Sequence, residues 1–242
     1  MIDRLALFGR RCFAVAIIAF GVQTVVLDKL VTRAMPIWPA WIPAQPVFAI
    51  LVGAIMVIGG SAILFDVRPR LAALVLAAMF LASALLLHLP PAIADVPLGG
   101  SWTIFGKGMV LFGGVLAVTA PVRSPSALLG RWCLAAFMVL GGIQHFKWTR
   151  FVATLVPAWI PGHVFWTYFA GVALIAGGIG LLIPATARLA ALAAGAMMLM
   201  WVVMLHVPRA LAELHNSNET TAVFEALAFG GLAWFLAARR SV

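Results

Sequence analysis

Charge is scarce in this 242-residue chain: 10% of its residues are Asp, Glu, Lys or Arg, and only seven are acidic. With 64% hydrophobic residues and a mean hydropathy of +1.12, the chain cannot dress a water-facing surface, which excludes an ordinary soluble domain. Cysteine is limited to Cys12 and Cys133, without CxxC spacing, so a disulfide framework and dithiol redox chemistry are excluded and buried, inert thiols are expected. HExxH, a Walker lysine loop, GxSxG and a dinucleotide fingerprint are all absent. The histidines stand singly, without the i, i+4 spacing of a helical metal site, which leaves a metal held by His145, His206 and His215 as a minor alternative. No cofactor site is encoded, and catalysis would need a bound redox group, a metal or a separate subunit.

What the chain has instead is long apolar runs. Eight stretches approach the length that crosses about 30 Å of hydrocarbon as a helix. They lie near Cys12 to Leu27, Val47 to Phe65, Leu71 to Leu89, Ile104 to Val122, Trp132 to Phe146, Val164 to Ile183, Leu189 to Val207 and Ala222 to Ala238. The first and fifth are shortest. Arg4, Arg10 and Arg11 give the first the look of a secretory signal, but no small-residue cleavage site follows before Asp28, so a retained helix is expected.

The chain also repeats itself. An offset of 118 lays Pro39-Ala40-Trp41-Ile42-Pro43 on Pro157-Ala158-Trp159-Ile160-Pro161, Arg70-Leu71-Ala72-Ala73-Leu74 on Arg188-Leu189-Ala190-Ala191-Leu192, and His88 on His206. Nearer the N-terminus the offset is 121, pairing Cys12 with Cys133, Gly21 with Gly142 and Gln23 with Gln144. Two homologous units, 1–122 and 123–242, follow. With four spans each, both enter the membrane from the same side. The expected fold is an all-α membrane protein of eight transmembrane helices, built as two parallel four-helix repeats about a pseudo-twofold axis normal to the membrane.

Basic residues orient it. Arg4, Arg10, Arg11, Arg68, Arg70, Arg123, Arg131, Arg188, Arg239 and Arg240 fall on the side of both termini, whereas Lys29, Arg33, Lys107, Lys147, Arg150 and Arg209 share the other side with most carboxylates. A bacterial-type cytoplasmic (inner) membrane with both termini cytoplasmic is predicted. The net charge of +9 then reflects topology and the lipid bilayer as partner, with no call for nucleic acid.

All five histidines and most tryptophans fall on the outer side of that topology. The tryptophans read mainly as an interfacial belt. Trp41 and Trp159 differ, because each sits between prolines in the duplicated motif, which suggests a rigid turn or a short re-entrant element at the outer surface. His88 and His206 each end a third span just before a Leu/Val-Pro step. They read equally as helix-end caps or as ligand-facing groups on the pseudo-axis. Gln23 and Gln144 lie a turn inside their spans, and His145 follows Gln144 where the first unit has Thr24. Lys107 and Glu225 fall at matched depth, so an ion pair is expected for Glu225 with Lys107 or with Lys147, snorkelling being the alternative. The glycines of the second spans read as helix packing.

The run Gly142-Ile143-Gln144-His145-Phe146, the Trp-Ile-Pro motif after it, the glycine-rich next span and the late His206 resemble the DoxX-like integral membrane proteins, here as a tandem duplication of the four-helix unit. The second half fits best; the first lacks the histidine. The resemblance implies a compact four-helix bundle per unit, and in the wider family a link to quinone-dependent oxidation of sulfur compounds or partnership with redox or detoxifying enzymes. Three readings follow. The leading one is a membrane anchor or scaffold for a membrane or periplasmic redox protein, docking on the Trp-Pro surface. Alternatively, an outer-leaflet pocket binds or transports a quinone or another amphipathic molecule at His88, His206, Gln23, Gln144, His145, Trp41 and Trp159. A third is a quinone-linked oxidoreductase subunit with His206 or His145 as proton relay.

Overall fold

The computed structural model describes residues 2–27, 44–121 and 124–238. Trp41 and Lys29 lie outside the described residues. Among those described there is no strand, and eight helices are long and apolar enough to cross a membrane. They are α1 (Ile2–Val26), α2 (Gln45–Leu64), α3 (Pro69–Ala94), α4 (Gly100–Thr119), α5 (Pro125–Lys147), α6 (His163–Leu182), α7 (Pro184–Ala212) and α8 (Ser217–Ala238). Proline stands in the first turn of α2, α3, α5 and α7, where its missing N–H would have had no partner and its fixed φ suits a helix. Ser124 adds a cap to α5, its hydroxyl accepting from Ala127 N at 3.3 Å.

Two expectations about span ends need correcting. The first and fifth spans are the longest uninterrupted α-helices, at 25 and 23 residues, because arginines taken as flanks lie inside them. Arg10 is held there by Asp66 at 2.5 Å and Ile63 O at 2.7 Å, across the tight α2–α3 reversal. Nor do His88 and His206 end their spans. Each closes a wide turn, in which Leu89 N bonds Ala84 O and Val207 N bonds Val202 O, and the helix runs on to Ala94 and Ala212. Pro90 and Pro208 explain the widening. A proline ring clashes with the carbonyl four residues back and offers it no N–H, and an i→i+5 turn relieves both problems without breaking the helix.

The helices close a ring in chain order, α1 meeting α8 as well as α2. Each contact in the first half has a counterpart four helices on: α1·α2 with α5·α6, α2·α3 with α6·α7, α3·α4 with α7·α8, and α1·α8 with α4·α5. The most buried span is α8, at 72%, and α7 is the least, at 22%. Apolar side chains such as Ile58 and Leu189, each 70% exposed, cover the outside, as a lipid-facing wall requires. In lipid, apolar burial drives little association, so close approach of backbones must supply the packing. A Cβ on Gly231 would lie 2.7 Å from Gly9 O, and one on Gly130 would lie 2.6 Å from Gly113 O. These two crossings, α1 on α8 and α5 on α4, occupy the same repeat positions. Gly21 with Gly53 and Gly142 with Gly171 do the same for α1–α2 and α5–α6, with Cβ-to-carbonyl distances of 2.6 and 2.7 Å.

Candidate ligand site

At the end of the bundle opposite the α1 start and α8 terminus, a cavity of about 770 Å³ opens between α4, α5, α7 and α8. Phe137 and Phe229 form one apolar wall, edge to face at 5.2 Å, and Leu174, Met198, Trp201 and Leu205 form others. Trp148, just after α5, and Phe151, from the short helix Thr149–Ala153, also line it, at 39% and 65% exposed.

The polar lining consists mainly of paired groups. Lys107 Nζ donates to Glu225 Oε2 at 2.6 Å, with side chains only 14% and 7% exposed. Arg209 donates to Glu219 at 2.9 Å. Gln144 accepts from Thr103 Oγ1 at 2.8 Å and donates to Leu98 O and Gly99 O, each at 3.0 Å. His145 Nδ1 lies 2.7 Å from Gly141 O, and His206 also lines the cavity. The wide turn before His206 adds one residue to the helical count, which rotates that face by about 100°. Glu225 Oε1, by contrast, is buried without a hydrogen-bond partner. At the mouth, Asp95 accepts from the amides of Val96, at 2.7 Å, and Ser101, at 3.4 Å; hydrogen bonding from Ser101, then from Val96, holds its carboxyl below the usual value.

The other expected groups are dispersed. His88 is buried outside the cavity lining, with Nε2 3.3 Å from Ser83 Oγ. Gln23 repeats the Gln144 clasp in the other half, accepting from Thr221 at 2.9 Å and donating to Ser217 O at 2.7 Å. Thr103 and Thr221 stand at the same 118 offset, so this pairing was available to sequence comparison and was not seen there. Lys147 donates to Pro97 O and does not meet Glu225. Trp159 is 66% exposed and does not line the cavity. Sequence reasoning also missed Arg209 with Glu219, and Gly141, the residue that leaves room.

The two halves differ most here. At the positions of Gly141 and Met198 the first half has Phe20 and Phe80, both buried in the core. Thr24 takes the place of His145 and makes the same backward bond, to Phe20 O at 2.7 Å. Ser83 takes the place of Trp201. Lys107 and Glu225 are themselves equivalents, one residue position carrying opposite charges in the two halves. Among the described residues, no three His, Cys, Asp or Glu side chains come together as a metal site. Both cysteines are buried and free.

Residues 134–236, inside the second half, are similar to a protein family described as a domain of unknown function (DUF8561). No curated protein and no solved structure matches the chain.

Proposed function

We propose that this multi-pass membrane protein binds an amphipathic molecule in the cavity that α4 shares with α5, α7 and α8. The observation that carries the reading is the asymmetry: a cavity of about 770 Å³ beside Gly141 of α5 and Met198 of α7, where buried phenylalanines occupy the matching positions of α1 and α3. A volume of that size suits a small-molecule ligand, and its mixture of aromatic walls with a few convergent polar groups is what such sites use. The pseudo-twofold arrangement of units 1–122 and 123–242 is supported by the matched helix contacts, glycine crossings and Gln–Thr clasps. The basic-residue bias supports an inner-membrane location with cytoplasmic termini, which puts the cavity in the outer leaflet.

The DoxX-like resemblance makes a quinone one candidate occupant. The second reading is an anchor for a membrane or periplasmic redox partner; what favours it is exposed aromatic surface at the cavity end, including Trp159, Phe165 and Trp166. Native mass spectrometry of wild type beside Gly141→Phe separates the two. A Cβ at Gly141 would meet nothing nearer than Leu174 Cδ1 at 3.9 Å, so the phenylalanine can enter the cavity as Phe20 does in the first half. A co-purifying small molecule lost in the variant is expected; identical spectra, with a bare chain in both, would move the weight to the anchor.

A further inference from the structure

Two arginines stand at matched positions of the repeat, and only one has a partner. Arg10 and Arg131 are equivalents at the 121 offset. A Cβ on Gly60 would lie 3.0 Å from Ala14 O, and one on Gly178 would lie 2.8 Å from Ala135 O, so the same crossing joins α1 to α2 and α5 to α6. Each arginine lies one turn before that crossing, which brings it beside the end of the neighbouring helix. The Nε of each is enclosed without a hydrogen-bond partner. The two side chains therefore begin alike and differ at their tips.

At the tip of Arg10, Asp66 accepts at 2.5 Å and Ile63 O at 2.7 Å. In the second half Pro184 stands at the position of Asp66, and among the described residues Arg131 makes no hydrogen bond or ion pair. Its side chain is only partly covered, and Nε is its one enclosed nitrogen without a partner, so the terminal nitrogens open at the surface. A guanidinium tip presents a planar fork of donors that fits phosphate oxygens. Six residues past Pro125, about 9 Å along the helix, it lies within an apolar span, where an unpaired cation is costly. The surface around it is one that meets lipid: Leu128 and Trp132 on α5, and Leu182 and Ile183 at the close of α6, are all exposed. We infer that Arg131 binds the phosphate of an anionic phospholipid, at the opposite end of the bundle from the cavity, and that the lipid supplies the counter-charge that Asp66 supplies to Arg10. In the first half that place is taken by the carboxylate of Asp66 itself.

The test is thermal unfolding of the full chain in a phosphate-free maltoside detergent, with phosphatidylglycerol, phosphatidylcholine or inorganic phosphate added, for wild type, Arg131→Gln and Arg11→Gln. Arg11 is exposed on α1 at the same end, so its loss matches the change in charge without touching the site. Phosphatidylglycerol should raise the melting temperature of wild type and of Arg11→Gln, half-maximally at a concentration at least about tenfold lower than Arg131→Gln requires, the difference expected for one charge-assisted contact. Without lipid, Arg131→Gln should melt no lower than wild type, since it loses an unpaired cation. A guanidinium that only braces α5 against α6 would lower it there as well. Equal response of the three proteins to phosphatidylglycerol, or a lower melting temperature of Arg131→Gln without lipid, overturns the site. Equal protection by inorganic phosphate makes the ligand a soluble anion and overturns the lipid, and equal protection by phosphatidylcholine overturns the requirement for net negative charge.

Discussion

Lys107 and Glu225 show how one repeat position acquires a role it could not have had with identical residues. The two equivalent positions lie in contact, so two lysines or two glutamates there would repel in a low-dielectric interior. Opposite charges pair instead. Removing one partner leaves the other buried and uncompensated, so Lys107→Met and Glu225→Gln should each destabilise the protein by about 3–5 kcal/mol. Thermal unfolding in detergent measures this, and the reversed pair, Lys107→Glu with Glu225→Lys, should recover part of the loss. Recovery no better than either single change would mean the pair is not what holds α4 to α8. Asp95 offers a pH prediction at the same scale. Its carboxyl is held below its ordinary value, so its caps on Val96 and Ser101 are fully present above the unfolded-state pKa and are lost as pH falls through the lower folded one. Amide exchange at Ser101 should therefore stay slow from neutral pH past the usual carboxylate range and quicken only in stronger acid. Quickening already near pH 5 would contradict it.

Among the helices, glycine positions separate packing contacts from open space. At Gly130 a methyl would strike the backbone of Gly113 at 2.6 Å, and backbone cannot step aside. Gly130→Ala should push α5 off α4 and cost about 1–3 kcal/mol. Gly141→Ala, on the same helix three turns further along, meets only Leu174 at 3.9 Å and should change the melting temperature little. If the two variants melt alike, the crossing is not tightly packed. The wide turns at His88 and His206 belong to this scale as well. Their proline is readable in the sequence, but an internal proline can end a helix, kink it or widen a turn. Which of these occurs depends on whether neighbouring helices hold the chain on both sides.

For the molecule as a whole, orientation is the decisive open quantity, and it yields to labelling because both native cysteines are buried. Leu214 and Val67 are exposed at opposite ends of the bundle. With both termini cytoplasmic, Leu214→Cys should react with a membrane-impermeant maleimide in intact cells, and Val67→Cys only after permeabilisation. The reverse pattern would invert the topology and place the cavity toward the cytoplasm.

The sequence alone determined the helical class, the number of spans and the matched positions of the two halves, because hydropathy over about twenty residues and self-similarity are local properties of the chain. It also marked Lys107, Glu225, Gln144, His145 and His206 as polar groups costly enough in lipid to require partners. Only the tertiary structure decided which partners they have. Gln23 and Gln144 clasp the starts of α8 and α4, His88 is buried away from the cavity while His206 lines it, and Lys147 turns away to Pro97. The cavity itself depends on volumes brought together from several helices, with glycine and methionine on one side matched to two phenylalanines on the other. No window along the chain contains that comparison, since space between helices exists only once they are packed.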